Sequence, residues 1–221
     1  MNYAIIVAGG SGQRMNSETP KQFLMLSGKP IICHTILAFV KAIQDIEIIL
    51  VLPAAHFDKL DLIQSHLNLS TPLKIVAGGN TRFHSVKNGL DAILNDEGIV
   101  FIHDAVRPII DTNLILRCEL NAEKFGNAIP CISVNDTLRK IDGDFSTHVD
   151  RANYRIIQTP QTFQLAQIKK AFETEYKDTF TDDASVAEQA GYSIHLTEGS
   201  IQNIKITTPF DLQLATIYLN N

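Results

Sequence analysis

Apolar residues recur along the chain in two rhythms. Five runs, Tyr3–Ala8, Glu47–Leu52, Leu73–Ala77, Ile99–His103 and Ala128–Ile132, are short and almost continuously apolar. Strands read this way when both faces of a parallel sheet are covered. Between them, Pro30–Ile43, Phe57–Leu67, Thr81–Leu94 and Asn113–Phe125 carry apolar residues at i, i+3, i+4 spacing, as helices do when they bury one stripe, and Pro30 suits a first turn. The alternation predicts an α/β fold: a Rossmann-like three-layer sandwich with a mostly parallel sheet, whose ligands bind at the carboxyl ends of the strands. No repeat, low-complexity tract or linker interrupts the pattern, so residues 1–221 read as one domain.

Residues 134–163 break the rhythm. They hold Asp142-Gly143, a hairpin turn signal, among β-branched residues without a strong core pattern. This predicts a β-arm at 134–163 projecting from the sheet. An isolated ribbon cannot bury its own faces, so the arm implies a homodimer that exchanges arms.

The first strand runs into AGGSGQRMNSETPK. Gly9, Gly10 and Gly12 let the backbone turn its N–H groups toward an anion with no Cβ in the way, and Arg14 and Lys21 add full charge behind them. The loop therefore reads as a nucleoside triphosphate site. Its spacing excludes the P-loop, which needs G-x-x-x-x-G-K-[ST], and the dinucleotide fingerprint, because Met15 stands where the third glycine belongs. Farther on, His103-Asp104 closes an apolar run and Arg107 follows. A carboxylate at a strand's carboxyl end suits Mg²⁺ held together with nucleotide phosphates, which makes Asp104 the candidate metal residue. His103 reads as a satisfied core histidine, and Arg107 as an ion-pair partner tying the loop down.

Composition narrows the classes. The chain of 221 residues is 45% hydrophobic and 19% charged with a formal net charge of −5, which argues against a broad nucleic-acid or membrane footprint and leaves any anion site local. Cys33, Cys118 and Cys131 are widely separated and lack C-x-x-C spacing, so they read as small core hydrophobes rather than zinc ligands or a disulfide framework. The N-terminus has no basic, then apolar, leader, and no apolar run reaches the roughly 18 residues a membrane helix needs. A cytoplasmic protein is the expectation.

The order of strand, G-G-x-G-x-R-M, polar run and P-K-Q resembles the sugar and polyol-phosphate nucleotidyltransferases. Within them the chain is most similar to the 2-C-methyl-D-erythritol 4-phosphate cytidylyltransferases, through AGGSGQRM, PKQF, GGNTRFHSV, HDAVRP, DTLRK, VDR, QTPQTF, TDDAS and EGSIQNIKIT. The resemblance implies transfer of CMP from CTP to 2-C-methyl-D-erythritol 4-phosphate in the non-mevalonate isoprenoid pathway, with Mg²⁺, in a homodimer. It implies that Arg14, Lys21 and Lys205 are catalytic, and that Ala8, Gly9, Gly10, Gly12, Gly79, Asn80 and Ser85 bind the nucleotide. Thr137, Arg151, Thr159 and Lys205 match the family's acceptor-binding places, and Asp104 contacts either the metal or the acceptor. Asn80 departs from the acidic residue common in the family. Asp182 and Asp183 read as the acidic start of a helix, with a site role for Asp183 left open. Two alternatives stand: a ribitol-5-phosphate cytidylyltransferase, which shares the loop, HDAVRP and QTPQ, and a non-catalytic nucleotide-binding regulator, against which the cations argue.

Overall fold

The computed structural model describes residues 1–9, 19–67 and 73–220. At its centre β1 (Asn2–Val7) lies between β4 (Glu47–Leu52) and β6 (Ile99–Asp104), parallel to both, and β5 (Lys74–Ala77) extends the parallel set beyond β4. Period-two alternation divides these strands between two cores. Ala4, Ile6, Leu50 and Phe101 face one side, while Tyr3, Ile5, Val51 and Val100 face the other. The first side is covered by α1 (Ile31–Ala42), α2 (Leu60–His66) and α4 (Thr112–Phe125), the second by α3 (Arg82–Asp91), α5 (Leu165–Ala171) and α6 (Asp183–Gln189). The expected α/β sandwich with a mostly parallel sheet is the observed architecture.

The helix boundaries follow from capping. Thr81 and Asp111 each accept a hydrogen bond from the backbone N–H three residues on, starting α3 and α4, and Gly126 ends α4 with φ at +90°. Pro30 is the residue before α1 and closes β3 (Lys29–Pro30), which pairs with β2 (Met25–Leu26), so it stands outside the first turn. The expected helix at 57–67 begins instead as a 3-10 turn, Ala54–Lys59. Helix α3 rests close against β1 because position 89 is glycine: a Cβ there would meet Ile5 Cγ2 at 2.8 Å.

The stretch 134–163 divides in two. Only β8 (Arg139–Asp142) and β9 (Phe145–His148) form a separate two-stranded ribbon. The remainder returns to the main sheet as β10 (Arg155–Ile157) and β11 (Gln161–Gln164), both antiparallel to β7 (Asn127–Ser133), and β11 also lies against β6. Both strands run along the same edge of β7, with the register slipping by two residues between them. That slip is a bulge spanning Gln158–Pro160. Short strand β12 (Leu196–Glu198) covers the other edge of β7, and α7 (Pro209–Asn220) ends the described chain. Among the described residues, no helix is long and apolar enough to cross a membrane.

Candidate active site

Val7 and Asp104 are register partners at the ends of β1 and β6, and a cavity of about 320 Å³ opens where these strands stop. The strand ends are fixed by backbone bonds: the N–H of Ala8 donates to Val51 O, and that of Ala105 to Val7 O. On one wall, a 3-10 turn (Lys21–Phe23) presents Lys21. Phe23 roots that turn in the core, edge-on to His56, and the buried Gln22 amide donates to Ala8 O at 2.9 Å. Gln22 thereby ties the lysine turn to the strand on which the glycine loop begins.

The opposite wall is the entry to α3. Ser85, nearly inaccessible, accepts the N–H of Gly79 at 3.1 Å and donates to Thr81 O at 3.0 Å. The turn itself requires glycine, since a Cβ at position 79 would lie 2.4 Å from His84 Cβ. Gly79, Asn80, Thr81 and Ser85 all line the cavity, and a Cβ added at Gly9 would stand 3.6 Å from Ser85 Oγ. Gly9 and the α3 entry therefore face one space.

Asp104 forms the floor with three cations around it: Lys205 Nζ at 2.9 Å, Arg107 Nε at 3.4 Å and Arg82 Nε at 3.8 Å. Burial alone would raise its carboxyl pKa. Arg82, Lys205 and Arg107 together outweigh burial and hold the pKa well below the usual carboxylate range. Lys205 comes from a loop pinned on both sides, by Ile206 N–H to Val106 O and by the buried Asn203 amide to Thr159 O. Arg107 also donates to Asn203 O at 2.8 Å.

Beneath Asp104 the proton positions can be assigned by elimination. His103 Nε2 lies 3.1 Å from Arg107 O, which can only accept, so Nε2 carries the proton. Nδ1 then accepts from the Thr159 hydroxyl at 3.1 Å, and Thr159 Oγ1 accepts the N–H of Asp104 at 3.1 Å. Burial, the largest influence, pushes His103 down to about 4, so the ring is neutral near pH 7.

Of the residues singled out in the sequence, Ala8, Gly9, Lys21, Gly79, Asn80, Ser85, Asp104 and Lys205 line this one cavity. Gly10, Gly12 and Arg14 lie outside the described residues. Thr159 sits behind Asp104 rather than on the cavity wall. Thr137 and Arg151 are exposed, and the Arg151 guanidinium donates to Asn135 O. Asp182 caps α6, as an acidic helix start requires. Sequence reasoning missed Gln22 and the pairing of Arg82 with Asp183, partners 101 residues apart in the chain. The glutamine next to a lysine already chosen was a usable signal for the first. The second left no local trace.

Among the described residues, no group of three or more His, Cys, Asp or Glu is arranged to hold a metal. Asp104 is already enclosed by its cations, so its carboxylate does not suit direct coordination of a divalent ion.

The model of the IspD family, 2-C-methyl-D-erythritol 4-phosphate cytidylyltransferase, matches residues 2–221. A protein of that name from Bacteroides fragilis is 47% identical over 217 residues, covering 98% of both chains. One from Bacteroides thetaiotaomicron is 46% identical over 215 residues, covering 97% of this chain and 98% of the relative. The solved 4-diphosphocytidyl-2C-methyl-D-erythritol synthase of Anaerococcus prevotii superimposes with a TM-score of 0.84 at 29% identity, over 100% of this chain and 98% of its own. With a match running from one end of the sequence to the other, the chain belongs to the IspD family of 2-C-methyl-D-erythritol 4-phosphate cytidylyltransferases.

Proposed function

We propose that the cavity transfers CMP from CTP to 2-C-methyl-D-erythritol 4-phosphate, giving 4-diphosphocytidyl-2-C-methyl-D-erythritol and pyrophosphate in the non-mevalonate isoprenoid pathway. The observation that carries this reading is the convergence of Lys21 and Lys205, from opposite ends of the sequence, on one cavity at the ends of β1 and β6. An acceptor phosphate oxygen attacks the α-phosphorus as the bond to the β-phosphate's bridging oxygen breaks. The work left to the protein is alignment and neutralisation of charge on the phosphoryl oxygens.

Lys21, with Arg14, supplies that charge on the triphosphate side, while the backbone N–H groups of Gly9, Gly10 and Gly12 cradle the phosphates beside Ala8, whose own N–H is held by Val51 O. Asn80, Ser85 and the backbone of Gly79 read the cytosine edge. Lys205, held on Asp104, meets the acceptor phosphate, and Thr159 supports it indirectly by fixing the Asp104 backbone. Mg²⁺ supplies charge neutralisation when bound. With Asp104 committed to three cations, such an ion would be held by way of the CTP phosphates rather than by this carboxylate.

Thr137 and Arg151 complete the acceptor site from the arm of a second subunit in a cytoplasmic homodimer. Ile141 and Phe145, 70% and 81% exposed on the ribbon, support such a contact. Incubating the purified protein with CTP and 2-C-methyl-D-erythritol 4-phosphate, beside ribitol 5-phosphate, and following pyrophosphate tests the whole reading. Release only with the methylerythritol substrate is expected. Release with ribitol 5-phosphate alone, or with neither, overturns it.

A further inference from the structure

Asp183 is a fully buried carboxylate that the reaction described above does not use. Its two oxygens take both terminal nitrogens of Arg82, at 2.7 and 2.6 Å, so the planar fork of the guanidinium is held in one orientation. A buried ion pair contributes little stability beyond what an apolar pair would give, so its value here is sought in the geometry it fixes.

Arg82 is the first residue of α3, directly after the capping Thr81. Ser85 sews the Gly79–Thr81 turn to the same first turn of α3. At the other end of the pair, buried Gln161 on β11 grips the start of α6 twice, donating to Asp182 Oδ2 at 2.7 Å and accepting the Ala184 N–H at 2.8 Å. A continuous set of contacts thus runs from the sheet through α6 and the ion pair to the turn that carries Asn80 and Ser85. Without Asp183, the carboxylate nearest to Arg82 is Asp104, 3.8 Å from Nε. Released from the fork, the arginine would draw the first turn of α3 toward β6 and across the base-reading wall.

We infer that Asp183, acting through Arg82, is a positioning residue for the nucleotide base: it fixes the α3 entry and thereby sets CTP affinity and the preference for CTP over UTP. The inference rests on the reading that Asn80 and Ser85 touch the base.

The test is steady-state kinetics of Asp183→Asn, Arg82→Lys and the double variant with CTP and UTP, with Ser85→Ala as the gauge of direct base contact. Each single change is expected to raise the KM for CTP tenfold or more and to narrow the CTP-over-UTP preference. For Asp183→Asn the kcat and the acceptor KM should stay within about threefold; Arg82→Lys, whose Nε also faces Asp104, is read only through its CTP KM and its CTP-over-UTP preference. The double variant should be no worse than Arg82→Lys alone, because the Arg82–Asp183 contact is broken in both. If Ser85→Ala weakens CTP while Asp183→Asn and Arg82→Lys leave its KM unchanged, the base wall stands and the inference is wrong. If Ser85→Ala also leaves the CTP KM unchanged, the base-wall reading fails and the inference with it. Equal losses for CTP and acceptor, tracking a lowered melting temperature, reduce Asp183 to a scaffold residue and overturn it too. Should Asp183→Asn not fold, Arg82→Lys, whose side chain is partly exposed, decides the matter through the split between substrates: a rise in the CTP KM without one in the acceptor KM supports the inference, and equal rises, which loss of the Asp104 contact would give, overturn it.

Discussion

The floor of the cavity and the β8–β9 ribbon carry charge and apolar surface in opposite ways. On the floor, Asp104 is 8% exposed, held by three cations, with its backbone N–H bound to Thr159 and Thr159 in turn bound to a neutral His103. Asp104, Thr159 and His103 are each held by protein partners before substrate arrives, which is what preorganised charge stabilisation requires. On the ribbon, Ile141 and Phe145 face solvent, and just beyond it the exposed Arg151 guanidinium donates to Asn135 O in its own neighbourhood. The charges of the cavity floor are thus finished within one subunit, whereas the ribbon leaves apolar surface that none of the described residues covers.

The largest expected effect probes the finished half. Lys21→Ala should lower kcat by on the order of 10²-fold or more, with a smaller change in CTP affinity, because its charge matters most as negative charge builds in the transition state. Near wild-type turnover would remove Lys21 from that role. The second test joins the two regions. In a dimer of one Lys21→Ala and one Arg151→Ala subunit, exchanged arms put both lesions in one site and leave the other intact, so the heterodimer should regain about half of wild-type activity and a randomly co-refolded equal mixture about a quarter. A confirmed heterodimer no more active than its parents means each Arg151 serves its own subunit.

A smaller effect should appear in acid. Unfolded His103 titrates near the ordinary 6.5 and the folded residue only near 4. Between those values the unfolded chain binds more protons. The stability present above about pH 6.5 is therefore lost as pH falls toward 4, by up to about 3 kcal/mol. Urea unfolding at several pH values should show this slope, and His103→Gln should flatten it. An unchanged slope in that variant would assign the acid sensitivity elsewhere. The smallest effect belongs to the ribbon: Phe145→Ser should change the monomer's unfolding free energy by no more than about 0.5 kcal/mol, yet weaken dimerisation on sedimentation. A large loss of unfolding free energy would mean Phe145 packs within its own chain.

The parts legible in the sequence are those with a local signature. β1, β4 and β6 are apolar along most of their length because they are covered on both faces, and Gly9 marks the point where β1 ends at the cavity. β10 and β11 gave no such signal. Arg155–Ile157 is exposed, and Gln161–Gln164 mixes buried polar residues with Phe163, so neither shows a clean period, and both were read into the arm. The floor was only half legible. Asp104 stood out at the end of an apolar run, but its ion pairs to Arg82 and Lys205 and the support from Thr159 depend on residues distant in the chain. A single sequence records no such proximity.

The bulge at Gln158–Pro160 bears on which insertions and deletions the chain could tolerate. Side chains of a strand alternate between faces with period two, so the two-residue slip preserves inside and outside along β10 and β11 while freeing Thr159 to turn toward Asp104. Removing one residue there would turn one of the two strands inside out. Removing two would keep both faces and erase only the loop that brings Thr159 to Asp104. Loss of activity without loss of fold is therefore reachable by an even deletion at this point and blocked to an odd one.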